Sequence, residues 1–80
     1  MLDQMKADKV LDCKGLKCPM PILKTKMALE SLQVGQLLEM TATDKGSKPD
    51  VAAFVQQTGH NLVSMTEQDG IFIYYIRKTK

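Results

Sequence analysis

Leu11-Asp12-Cys13-Lys14-Gly15-Leu16-Lys17-Cys18-Pro19-Met20-Pro21 is the stretch on which the reading of this chain turns. It holds the end of a short apolar run, a glycine and two closely spaced prolines. Lys9-Val10-Leu11-Asp12 reads as a strand, and Gly15 marks the turn that leaves it. Pro19 and Pro21 stand where prolines are tolerated, in the first turn of a helix, because the N–H groups they lack have no intrahelical partner there. The spacing predicts a helix running to about Leu32, with Ile22, Thr25, Ala28, Leu29 and Leu32 on one face to pack on a sheet. Met20, Leu23 and Met27 fall off that face. Leu23 and Met27 are expected to pack against a second helix. The alternative makes Met20 and Leu23 an exposed apolar rim beside Cys18, suited to a partner protein.

Downstream, Gly35 closes the first helix and Gln36 to Thr43 reads as a second strand, followed by a loop at Asp44-Lys45-Gly46. Asp12 and Asp44 read as turn or cap residues. A second helix follows, with Ser47 as N-cap, Asp50 favoured near the helix N-terminus and Gly59 as its stop. Val51, Phe54, Val55 and Thr58 form its buried stripe, and His60 reads as a helix-end residue. Asn61 to Thr66 is a third strand, Gln68-Asp69-Gly70 a hairpin turn and Ile71 to Arg77 a fourth strand. The order is β-α-β-α-β-β. The expected fold is α+β, a two-layer α/β sandwich in which both helices cover one face of a four-stranded mixed sheet. Residues 1–8 are expected to be a flexible N-terminal tail, and residues 9–80 a single domain.

Composition limits the function classes. Eighty residues leave room for one modest core, and 44% apolar with 25% charged residues is ordinary for a globular domain. No apolar run approaches the roughly 20 residues of a membrane span. The first eight residues are too polar for a secretory signal, so a cytoplasmic location is expected. Two cysteines form no disulfide framework, and with His60 the sole histidine no metal site is expected.

Chemistry concentrates on Cys18. A cysteine just before a helix feels the positive end of the helix dipole, which favours thiolate over thiol. Lys17 adds a charge beside it, and Lys14, Lys24 and Lys26 crowd the same stretch. The unperturbed pKa of about 8.5 is thus expected to fall by about one unit or more. Pro19 and Pro21 supply no N–H, which leaves Met20 as the main first-turn donor able to reach the sulfur. The two rings also stiffen the turn and fix the direction in which the thiol is presented. Three positions after Cys18 stands Pro21, where a dithiol oxidoreductase would carry its second cysteine. Cys13 is read chiefly as a structural residue at a strand end, with a possible accessory role in redox or sulfur handling.

The sequence resembles the TusA/SirA-type sulfur carriers. The resemblance rests on Leu11-Asp12, Gly15-Leu16 and Cys18-Pro19-Met20-Pro21, and continues through Gly35, the Asp44 loop, Phe54, Gly59-His60 and Ile76-Arg77-Lys78, over about residues 9–78. It implies a carrier that accepts sulfane sulfur as a persulfide on Cys18 and passes it to a partner. The implied donor is a cysteine desulfurase or rhodanese-like protein. The acceptors serve tRNA thiolation, molybdenum-cofactor supply or oxidative sulfur metabolism. No cofactor is expected, and the protein is sulfurtransferase-like without a complete catalytic cycle of its own. Two other readings stand beside this one. The expected sandwich is similar to the C-terminal domain of translation initiation factor 3, a nucleic-acid-binding module. Yet the basic residues are diluted by nine acids and no aromatic-interleaved basic stripe appears, so nucleic acid is not expected as a direct partner. The other reading is a redox regulator working through a Cys13–Cys18 disulfide.

Overall fold

The computed structural model describes residues 7–17 and 19–80. Its elements run β1 (Lys9–Cys13), α1 (Met20–Glu30), β2 (Leu37–Ala42), α2 (Ser47–Thr58), β3 (Asn61–Gln68) and β4 (Ile71–Arg77). This is the expected order. The four strands form one mixed sheet in the order β1-β2-β4-β3, with β1 parallel to β2 and β4 antiparallel to both β2 and β3.

Alternation along the strands decides which face is covered. Cys13 on β1, Leu38, Met40 and Ala42 on β2, and Phe72, Tyr74 and Ile76 on β4 are buried in one cluster. Ala28 and Leu29 from α1, Leu32 just beyond its end, and Val51 and Phe54 from α2 complete it. Each of these larger aliphatic or aromatic side chains contributes about 1.5–3 kcal/mol by leaving water. Both helices therefore share one core and one face of the sheet. The other face carries Glu39, Thr41, Ile73 and Tyr75, all partly exposed, with the Tyr75 hydroxyl donating to Glu39 Oε1 at 3.0 Å.

Turns follow the local chemistry. Asp69 and Gly70 have φ of 55° and 79°, and Gln68 pairs directly with Ile71. Two central residues with positive φ make the tight hairpin whose twist matches the flanking strands. Gly59 ends α2 in the left-handed conformation, φ 84°, and its N–H donates to the Val55 carbonyl at 2.9 Å.

Two expectations are corrected here. Ser47 is not the cap of α2. Gly46 holds that position, while the Ser47 hydroxyl is buried against the Tyr74 hydroxyl at 2.7 Å. A buried hydroxyl is held by whatever partner the core offers, and here that partner comes from β4. Leu23 and Met27 do not pack on α2 and are 48% and 67% exposed, because α2 lies along the Ile22 side of α1. Of the expected tail, residues 1–6 lie outside the described residues. Asp8 is tied to β2, its N–H donating to the Leu37 carbonyl at 2.7 Å and its carboxylate accepting from the Leu37 N–H at 2.8 Å.

The Ser47–Tyr74 pair is checked by urea unfolding. Tyr74→Phe strands the buried serine hydroxyl and is expected to cost about 1–3 kcal/mol. Adding Ser47→Ala is expected to recover part of that loss. An unchanged midpoint for Tyr74→Phe would rule out a stabilising hydroxyl pair.

Candidate functional site

Residue 18 itself lies outside the described residues, so the site is built from what frames it. On the N-terminal side the chain leaves β1 under close control. The Lys14 N–H donates to Asp12 Oδ1 at 2.9 Å, which makes Asp12 the turn residue expected of it. The Gly15 N–H donates to Thr43 Oγ1 at 2.9 Å, crossing to the end of β2. The Leu16 N–H returns to the Cys13 carbonyl at 3.1 Å, and the Leu16 side chain packs against the core. Three successive residues are thus each fixed before Lys17 is reached.

On the C-terminal side Pro19 is the N-cap of α1 and accepts the Leu23 N–H at 3.0 Å. Pro21, two residues into the helix, is fully buried. The prolines stand in the first turn as expected, but the role expected for the Met20 backbone does not hold. Its N–H donates to the Lys17 carbonyl at 2.9 Å and is spent there. Positions 19, 20 and 21 therefore offer no free backbone donor: two lack the hydrogen and one has used it. What positions 19 to 21 contribute is therefore the field of the aligned peptide dipoles, with the exposed Lys17 preceding them.

Lys14, Lys17, Lys24 and Lys26 are all exposed. Lys14 lies 4.0 Å from the Asp12 carboxylate, an exposed pair of the kind that contributes little. Met20, 41% exposed, Leu23 and Met27 recur at helical spacing and leave one apolar ridge on α1 open to solvent. Two depressions flank the site. One, of about 450 Å³, is lined by Gly15, Leu16, Lys17, Thr43, Asp44 and Lys45. The other, of about 220 Å³ and more apolar, lies between α1 and α2 with Pro19, Ile22 and Phe54 in its wall.

Cys13 faces the core. Its side chain is wholly buried in the core, paired across from Ala42. Burial pushes its thiol pKa up; Lys24 pulls it partly back, and Asp12 pushes it further up. A thiol held in its neutral form out of solvent is a poor nucleophile. Among the described residues no group of histidine, cysteine and carboxylate could hold a metal ion, and no helix is long and apolar enough to cross a membrane.

Residues 9–78 match the family described as Sulfurtransferase TusA. The chain belongs to the TusA family. Relatives span the same domain. The putative sulfur carrier protein YrkI of Bacillus subtilis is 51% identical over 74 residues, covering 92% of this chain and 99% of that protein. Sulfur carrier protein TusA of Allochromatium vinosum is 44% identical over 72 residues, covering 90% of this chain and 95% of that one. The fold is that of a SirA-like protein from Desulfitobacterium hafniense, whose crystal structure aligns at a TM-score of 0.78 with 22% identity over 90% of this chain and 99% of that one. The TusA family match takes in the whole stretch from the Asp12 turn to Pro21.

Two signals were missed in the sequence, the burial of Pro21 and the Gly15–Thr43 bond. Pro21 stands one position before the first residue of the predicted apolar stripe, so its inward placement could have been found there. Thr43 gave no signal, because its partner is 28 residues away.

Placement of Cys13 in the core has a direct readout. In a Cys18→Ser background, iodoacetamide is expected to leave the native protein unlabelled and to add one carbamidomethyl group in denaturant, both read by intact mass. Rapid labelling of the native protein would contradict the buried placement.

Proposed function

We propose that this TusA-family chain carries sulfane sulfur as a persulfide on Cys18 and delivers it to a partner protein. The Cys18 thiolate attacks the outer sulfur of a donor persulfide. A sulfur–sulfur bond forms at Cys18, the donor's own sulfur–sulfur bond breaks, and the donor leaves as a thiolate. There is no net oxidation or reduction. Transfer to the acceptor repeats the exchange in the opposite sense.

The observation that carries this reading is the construction of the helix start. Positions 19 to 21 lack free N–H groups, the positive end of the α1 dipole lies at this start, and Lys14 and Lys17 are exposed in the connection that leads to it. A positive field lowers the pKa of a thiol and equally favours a persulfide anion. Few direct hydrogen bonds leave the sulfur lone pairs available for attack. Lys17 contributes charge, Pro19 and Pro21 hold the turn, and Met20 closes it onto Lys17. Cys13, buried and neutral, takes no part, which counts against a regulator built on a Cys13–Cys18 disulfide.

The ridge of Met20, Leu23 and Met27 supports docking of both donor and acceptor on α1. A carrier must bind each in turn at the end that holds the cargo. Lys24 and Lys26 beside the ridge favour partners that surround an apolar contact with acidic residues. Cysteine desulfurases and rhodanese-like proteins fit the donor role, in a cytoplasm that keeps thiols reduced. Acceptors would belong to a sulfur relay for tRNA thiolation, cofactor supply or oxidative sulfur metabolism. The protein needs no cofactor of its own and turns over only with its partners.

Two measurements test this. After incubation with a persulfide donor, intact mass is expected to show one added sulfur of about 32 Da, removed by reductant and absent in Cys18→Ser; equal loading of that variant would end the proposal. Leu23→Asp is expected to slow transfer from a donor protein about tenfold or more, the cost of one well-packed anchor. Loading from inorganic polysulfide should stay unchanged. Equal protein-to-protein rates would remove the ridge from the docking surface.

A further inference from the structure

A third cavity lies at the other end of α1, about 15 Å along the helix axis from Met20. Its volume is about 240 Å³, and Lys26 and Glu30 of α1, His60, and Lys78 and Lys80 beyond β4 reach it. We propose that this cavity binds a phosphate-bearing anion. The inference is independent of the chemistry at Cys18.

Three lysines line it against one acidic side chain, Glu30. Among the described residues neither Lys26 nor Lys80 has an ion-pair partner. Lys78 is anchored, its Nζ donating to the Leu32 carbonyl at 2.6 Å, which satisfies one of the open carbonyls following α1 and leaves two further N–H donors. Lys80 is placed by Gly59. A Cβ at residue 59 would fall 2.8 Å from Lys80 Cε and 2.9 Å from Nζ, so the missing side chain makes room for the lysine.

His60 completes the wall. Its Nδ1 accepts the Thr79 N–H at 3.2 Å, and its ring lies against Phe54 with centroids 6.2 Å apart. With Nδ1 accepting, the neutral ring carries its proton on Nε2, as a further donor. Burial, then Lys78 and then Lys80, push the His60 pKa below the ordinary histidine value. The lysines thus impose a positive potential felt at this ring. Glu30 is the one acidic side chain that reaches the cavity. Clustered unpaired ammoniums in a concave, partly enclosed place are the usual terms on which a phosphoryl group is held, since its charge of about −1.5 to −2 answers two or three cations.

His60, the sole histidine, is its own reporter. The full chain would be titrated by proton–carbon NMR of the imidazole, at matched ionic strength in chloride, in inorganic phosphate and in a nucleoside monophosphate. A phosphate-bearing anion beside the ring favours its protonated form, so the His60 pKa is expected to rise saturably by about half a unit or more over chloride. Lys26→Ala and Lys80→Ala should each abolish most of that increment, whatever they do to the value in chloride. Saturation by the nucleotide at lower concentration would assign the site to a phosphoester. Saturation by inorganic phosphate alone would assign it to the free ion, and either result supports the proposal. Equal pKa values in all three salts, or an increment that survives both substitutions, would overturn it.

Discussion

Everything at the candidate site depends on where β1 stops. Cys13 packs into the core against Ala42, at the last rung of the parallel β1–β2 ladder. That inward anchor fixes the exit of the strand, and the Asp12 and Thr43 side chains then take hold of the next two backbone N–H groups. Leu16 and Pro21, both directed to the core, pin the connection from its two sides. The segment between them is short and its ends are fixed, so the helix start is presented by packing as much as by proline stiffness. Cys13 bears on the candidate site through its volume and its burial.

Hydrogen-bond accounting at the start of α1 sets this helix apart from an ordinary N-terminus. Most helix starts expose up to four unpaired N–H groups, and anions bind there by accepting them. Here the sequence removes two and the Lys17 carbonyl takes a third. The positive potential survives, because it belongs to the whole helix, while three of its four directional donors do not.

Much of this was legible in the residues. Strand and helix positions followed from apolar periodicity, and the hairpin followed from Asp69-Gly70. The buried stripes of both helices came out as Thr25, Ala28 and Leu29 on one, with Leu32 just past its end, and Val51 and Phe54 on the other. Two of the misreadings have a common physical origin in partners distant along the chain. A serine at a helix start usually caps it, and nothing near Ser47 announces a tyrosine hydroxyl 27 residues later. The amphipathic pattern of α1 shows which side chains leave the sheet but not on which flank α2 will lie, so Leu23 and Met27 were given to the wrong neighbour. The Met20 N–H was misassigned because its fate depends on the direction of one carbonyl, Lys17, about which side-chain identity is silent. Of the site itself, the sequence supplied the identity of Cys18 and its setting between lysines and prolines, and the structure supplied the frame.

The strand order carries a consequence for how such a chain can be made. β4 is the last element in sequence and a central one in space, flanked by β2 and β3. Until it emerges, β1, α1 and β2 have half a core, an open β2 edge and no Phe72, Tyr74 or Ile76 to cover it. A ribosome-bound fragment therefore has no stable resting point part-way, and the fold closes in one cooperative event once the C-terminal hairpin is free to insert. The same arrangement makes nascent chains short of β4 natural clients for chaperones, because what they expose is an unpaired strand in the middle of a future sheet.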